Sequence, residues 1–124
     1  MNKQQQTRSW TRSIGHVPDM VRIALALVVH YEAKRGRIVD VRRGGAFDLR
    51  SVSPPDASGA RPIRRIAVKA RAAQGAVHLT PAEWRAAARL REAAWLYIVR
   101  EAATGRPRLQ RIRDPWARMG AARR

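Results

Sequence analysis

Residues 64–70 read RRIAVKA. Side chains alternate across an extended strand, so Ile66, Val68 and Ala70 fall on one face and Ala67 and Lys69 on the other. One face is apolar; the other ends in a cation. A lysine two positions after a carboxylate on such a strand is a common device for holding a metal ion against a phosphate, but the position two before Lys69 is Ala67. The stretch therefore marks a sheet strand and leaves open what the lysine does without an acid beside it.

Working outward, VPDMVRIALALVVHYEAKRG (17–36) reads as a helix: Pro18 suits the first turn, Asp19 the positive N-terminal end, and Gly36 a C-terminal cap. Val21, Leu25, Val28 and Glu32 share one stripe of it, so the carboxylate either is functional or reaches solvent at the end of the stripe. RIVDV (37–41) and FDLRSVS (47–53) read as strands around a turn freed by Gly44 and Gly45, and IRRIAVKA (63–70) follows a Pro- and Ser-rich loop. GAVHL (75–79) is expected to be a short strand leading into a helix that opens TPAE, where Thr80 caps, Pro81 takes the first position and Glu83 completes a capping box. AWLYIV (94–99) reads as a buried strand, RLQRI (108–112) as a last one, and DPWARMGAARR as a short helical or frayed basic end. Helix, three strands, a short strand, helix and two strands predict a mixed sheet flanked by helices, an α/β or α+β fold.

With 124 residues the chain is expected to hold one domain, over residues 18–116, with a basic, disordered tail over 1–17 and a basic tail over 117–124. The N-terminal stretch lacks the amphipathic apolar face of a transit peptide. There is no cysteine, which excludes disulfides, thiolate zinc sites and cysteine nucleophiles. The longest apolar run, IALALVV (23–29), is too short to span a bilayer, and an intracellular, cytoplasmic location without membrane attachment is expected. The net charge of +17 comes almost wholly from arginine, the lysines being Lys3, Lys34 and Lys69. Such a surface gains affinity for polyanions by releasing their counterions, so nucleic acid is the expected partner; an arginine-rich coding bias is the alternative source of the charge.

Asp48 faces away from Phe47 and Leu49 and precedes Lys69 across one loop, so adjacent strands can bring the two together. In order, GGAFDLRS (44–51), RRIAVKARA (64–72), HLTPAEW (78–84), WLYIVREA (95–102) and LQRIRDP (109–115) resemble the C-terminal domain family named after the plant protein NO VEIN. That domain also ends bacterial helicase-like and restriction-type proteins. It is similar to the PD-(D/E)xK restriction-endonuclease-like superfamily, Mrr-type nucleases included. The resemblance covers nearly everything but the tails, and its specificity lies in the ordered series of motifs. It implies a restriction-endonuclease-like α/β fold and a metal-dependent phosphodiesterase site, in which Glu32 matches the acid of the first helix, Asp48 the acid of the G(F/Y)D motif and Lys69 the lysine of IEVK. Asp48 and Glu32 would hold Mg²⁺, while the lysine would position the nucleophile and stabilise developing charge.

Ala67 stands where the family's glutamate belongs, so the implied site is disabled or weakened and Mg²⁺ held weakly or not at all. Three origins are open: an introduced inactivating substitution, a natural loss leaving a nucleic-acid-binding pseudo-nuclease, or a loss offset by an acid from elsewhere, for which Asp40 is nearest along the chain. Arg42, Arg43, Arg50, Arg65 and Arg71, on and beside the motif strands, are the expected nucleic-acid contacts, with DNA the expected form. Asp48 as a partner of some arginine and Lys69 as a solvated strand residue are the plainer readings. His30 and His78 lack metal-ligand spacing and read as structural, and Trp84 and Trp95 as core. Two other classes compete with a nuclease-like DNA binder: a non-enzymatic interaction module of a larger helicase or defence assembly, and a small basic RNA-associated protein.

Overall fold

The computed structural model describes residues 19–42 and 45–123. The expected tail over 1–17 and the candidate contact Arg43 lie outside the described residues. A helix, α1 (Asp19–Lys34), is followed by strands β1 (Ile38–Val41), β2 (Leu49–Val52) and β3 (Ile63–Arg71), helix α2 (Pro81–Leu90), strands β4 (Ala94–Arg100) and β5 (Arg108–Arg113), and helix α3 (Pro115–Arg123). The strands lie side by side in chain order in one sheet. Only β3 and β4 run parallel; the other neighbours are antiparallel. Antiparallel neighbours need just a turn, whereas a parallel pair needs a crossover, and α2 supplies it. The fold is α/β, a mixed sheet flanked by helices, as the element order implied.

Alternation along β3 divides the core. Ile66 and Val68 pack with Leu25, Val28, Leu49, Tyr97 and Val99 under α1, while Ala67 packs with Leu79, Trp84, Leu96 and Ile98 under α2. Leu49, Ile66 and Leu96 are fully buried, each worth about 1.5–3 kcal/mol of transfer free energy. Trp116 of α3 meets Trp84 edge to face at 6.0 Å, so the last helix extends the α2 layer. The expected domain border at residue 116 falls inside that helix.

Helix boundaries follow local chemistry. Gly36 ends α1 with φ +78°, a conformation that penalises any side chain, and its N–H donates to Ala33 O at 3.0 Å. At α2 the capping box forms: Glu83 N donates to Thr80 Oγ1 at 3.1 Å and Thr80 N to Glu83 Oε1 at 2.7 Å.

The expected strand at 75–79 is absent. β4 pairs with β3 from Arg65 to Arg71, so that side of β3 is closed to the segment that follows it. Arginine side chains hold its carbonyls instead: Arg71 Nε donates to Ala76 O at 3.0 Å, and Arg100 to Gly75 O at 2.8 Å and Ala72 O at 3.1 Å.

Candidate functional site

Asp48 directly precedes the first residue of β2, Leu49, which pairs with Ile66. Asp48 N donates to Ile66 O at 2.9 Å, and Asp48 Oδ2 accepts from Val68 N at 2.7 Å, so its carboxylate extends the β2–β3 ladder beyond the strand. Asp48 and the β3 motif therefore do come together. Lys69 points to the α2 face, where its ammonium donates to both Glu83 oxygens at 2.9 and 3.0 Å; both side chains are mostly buried. Glu83 thus serves at once as the N3 residue of the capping box and as the counter-ion of Lys69. Ala67 is 3% exposed within its apolar cluster, leaving no solvent at the place of the missing glutamate.

Glu32 lies on the other side of the sheet. Its α1 stripe turns it onto the face of Ile66 and Val68, where it is completely buried, so it neither reaches solvent nor meets Lys69. Arg64 Nη1 donates to both its oxygens at 3.0 and 2.9 Å, the Tyr97 hydroxyl donates to Oε2 at 3.0 Å, and Arg37 Nε lies 3.5 Å from Oε1. Arg37 also donates to Ser51 Oγ at 2.7 Å, Ser51 O at 3.1 Å and Pro62 O at 3.0 Å. Burial, and next the neighbouring Arg64 charge, lower the Arg37 pKa. Burial is the largest influence on Arg64 and acts to lower its pKa, but the charges of Glu32 and Tyr97 and the hydrogen bonds to both together outweigh it, and the net shift is upward. Burial first, and then the Glu32 charge, push the Tyr97 hydroxyl up to about 12. This is a buried ionic network joining α1, β3 and β4. The expectation that Glu32, Asp48 and Lys69 share one pocket is corrected: the strand's alternation sends the first helix's acid to the opposite face.

The face shared by Ala67 and Lys69 is left open by α2 over β1 and β2. Asp40, Arg50 and Arg65 stand in a row across three strands there, Asp40 opposite Arg50 and Arg50 opposite Arg65. Asp40 Oδ2 lies 3.4 Å from Arg50 Nη1 and 4.0 Å from Arg42 Nη2. A groove of ≈ 550 Å³ runs beside them, lined by Arg42, Ala46, Phe47, Arg50 and Arg65 among others. Three of the expected nucleic-acid contacts thus converge, whereas Arg71 bonds the carbonyls of Ala70 and Ala76 at the far end of β3. Asp40, the acid nearest along the chain, sits in the arginine row two strands away from β3.

The family model described as protein NO VEIN, C-terminal, matches residues 21–112, from the third residue of α1 to the penultimate residue of β5. The chain belongs to the NO VEIN C-terminal family. The match takes in all five strands but for Arg113, together with the α2 crossover, so the domain's frame is the five strands with α1 and α2. No curated protein and no solved structure matches the chain.

A Mg²⁺ site does not fit the residues of this NO VEIN C-terminal domain. Among the described residues no three His, Cys, Asp or Glu side chains gather as a metal would need. Asp48 Oδ2 is committed to Val68 N, Glu83 to Lys69 and Thr80, and Glu32 is across the sheet. Glu83 is the residue that sequence reasoning placed only in a cap. The signal for its second role was its position on the helix immediately after the motif strand.

Proposed function

We propose that this NO VEIN C-terminal domain binds duplex nucleic acid, DNA foremost, through its phosphates, on a nuclease-like frame whose cleavage centre is disabled at Ala67. The observation that carries the reading is the Arg50–Arg65 pair: two guanidinium-bearing residues directly opposite on neighbouring strands of an open face, with Asp40 the one carboxylate paired to them among the described residues. Like charges so placed destabilise a sheet, and an anion lodged between them relieves the repulsion. Arg42 at the groove's rim adds a further donor to a passing backbone. Contacts of this kind fix position without reading bases, so affinity depends on charge far more than on sequence. The disabled centre is supported by Ala67 packed among apolar side chains, and by Lys69 held by Glu83 rather than directed at a ligand.

The test is the salt dependence of duplex binding. For the natural chain log K falls steeply with log salt; Arg50→Ala with Arg65→Ala reduces the slope by about 2, one phosphate contact per arginine, and weakens all duplex sequences alike. A slope unaffected by the double substitution, or an affinity insensitive to salt, refutes the reading.

A further inference from the structure

On the α1 face, toward β5, arginines and aromatic rings interleave. Arg35 Cζ lies 3.5 Å from the Tyr31 ring centre, Arg111 4.9 Å from that of Tyr31 and 5.5 Å from that of Trp95, and Arg64 and Arg113 4.7 and 5.8 Å from Trp95. Tyr31 and Trp95 are half-buried, while Arg35, Arg111 and Arg113 are exposed. The rings hold these guanidiniums in place without neutralising them. Carboxylates scarcely do so either. Glu32 is committed to Arg64 and Arg37, and Glu92 meets Arg113 at 3.5 Å with side chains 77% and 56% exposed, a pair of little strength. Among the described residues, Arg35 and Arg111 have no carboxylate within ion-pair distance.

Arg111 and Arg113 are two apart on one strand and so project the same way, about 7 Å from each other. Alongside, Tyr31 and Arg35 also line a cavity of ≈ 570 Å³ whose floor is Leu27, Val99, Pro107 and Leu109. Its remaining polar residues are His30, Lys34 and Arg108; no carboxylate lines it. An apolar floor below a cationic rim, continuous with the half-buried rings of Tyr31 and Trp95, suits a flat base with phosphates on either side.

We propose that this side of β5 is a second nucleic-acid site and that it takes a single strand. One base enters the cavity beside Tyr31, the next packs at Trp95, and Arg35, Arg111 and Arg113 meet the intervening phosphates. The site is on the opposite face of the sheet from Arg50 and Arg65, so it does not depend on the duplex reading. Stacking on aromatic rings is what separates a single-strand site from a merely positive surface.

Fluorescein-labelled oligo-dT and oligo-U strands and a duplex of equal charge are titrated against the full chain, with Arg111→Gln/Arg113→Gln and Arg50→Ala/Arg65→Ala as variants. Expected is a loss of at least tenfold in single-strand affinity for the first variant with less than twofold change for duplex, and the converse for the second. Binding of either strand supports the site, and the tighter one names the sugar. An equal loss for strand and duplex, or none, overturns it, as does poly-glutamate displacing the strand at equal charge concentration. Should the first variant fail to fold, photo-crosslinking of a bromouracil-containing strand to the natural chain decides: adducts on the peptides of Tyr31 or Trp95 support the site, and adducts only at Phe47 overturn it.

Discussion

Glu32→Gln removes one charge and almost no volume, and it tests whether the buried acid of α1 holds the fold together or serves chemistry. Its carboxylate accepts two contacts from Arg64 and one from Tyr97 and faces Arg37, all within 3.5 Å and without access to solvent. Breaking a buried ion pair from one side leaves the partner charge uncompensated, at a cost of about 3–5 kcal/mol. The glutamine amide adds a donor that faces other donors. Against the 5–15 kcal/mol typical of a domain, an effect of about 4 kcal/mol is a large share of total stability. With a urea slope of about 2 kcal/mol/M, the unfolding midpoint falls by about 2 M. Tyr97→Phe, which deletes one donor and leaves both arginines paired, is expected to lose only about 1 kcal/mol. Urea unfolding followed by tryptophan fluorescence measures both. If Glu32→Gln loses less than about 1 kcal/mol, or gains stability as removal of a strained functional acid often does, the ionic network is not what secures α1 to the sheet.

Tyr97, whose hydroxyl is pushed up to about 12 by burial and the Glu32 charge, holds its proton more tightly folded than unfolded. The resulting stabilisation is full below about pH 10, the ordinary tyrosine value, and disappears as pH rises through about 12. A 295 nm titration should show a tyrosinate step near pH 12 that Tyr97→Phe removes; complete ionisation by pH 11 in the folded chain refutes this. For Ala67→Glu, the sequence alone leads one to expect restored Mg²⁺- or Mn²⁺-dependent cleavage, but Lys69 is held by Glu83. The single variant is expected to stay inert and to lose about 1–3 kcal/mol on burying a carboxylate among Leu79, Trp84, Leu96 and Ile98, whereas Ala67→Glu with Glu83→Gln transfers Lys69 to the new acid and recovers part of that loss. Metal-dependent cleavage by the single variant contradicts the part given to Glu83; a folded double variant no more stable than the single one shows that Lys69 does not change partners.

Much of the frame was readable because its signals are local. Alternation in RRIAVKA assigned the two faces of β3, TPAE marked the start of α2, and Gly36 the end of α1. What alternation does not carry is which helix lies over which face. That missing piece separated Glu32 from Lys69, although a clue was present: Arg64 shares parity with Ile66 and Val68, so a cation heads an apolar face and calls for an acid beneath it. Glu32 is the acid on the apolar stripe of α1. The strand expected at 75–79 failed for a related reason, since a strand needs an edge to join and sequence does not say that β4 has taken it. Trp95 was read as core, and half of it is; the exposed half is visible only once Arg111 and Arg113 are set beside it on β5.

The sheet has two edges, and they are unequal. β1 is four residues long, whereas β5 presents six, exposed nearly throughout. A strand so open invites a second copy to continue the sheet, and Arg111 and Arg113 on one face with Arg108 on the other oppose it, since two approaching edges would force them against their counterparts. The barrier is purely ionic, and hence conditional. A polyanion added at a charge-matching ratio silences it, so mixtures should turn turbid at that ratio and clear again when either component is in excess or salt is raised. Whether two such edges join is thereby a property of the surroundings as much as of the fold.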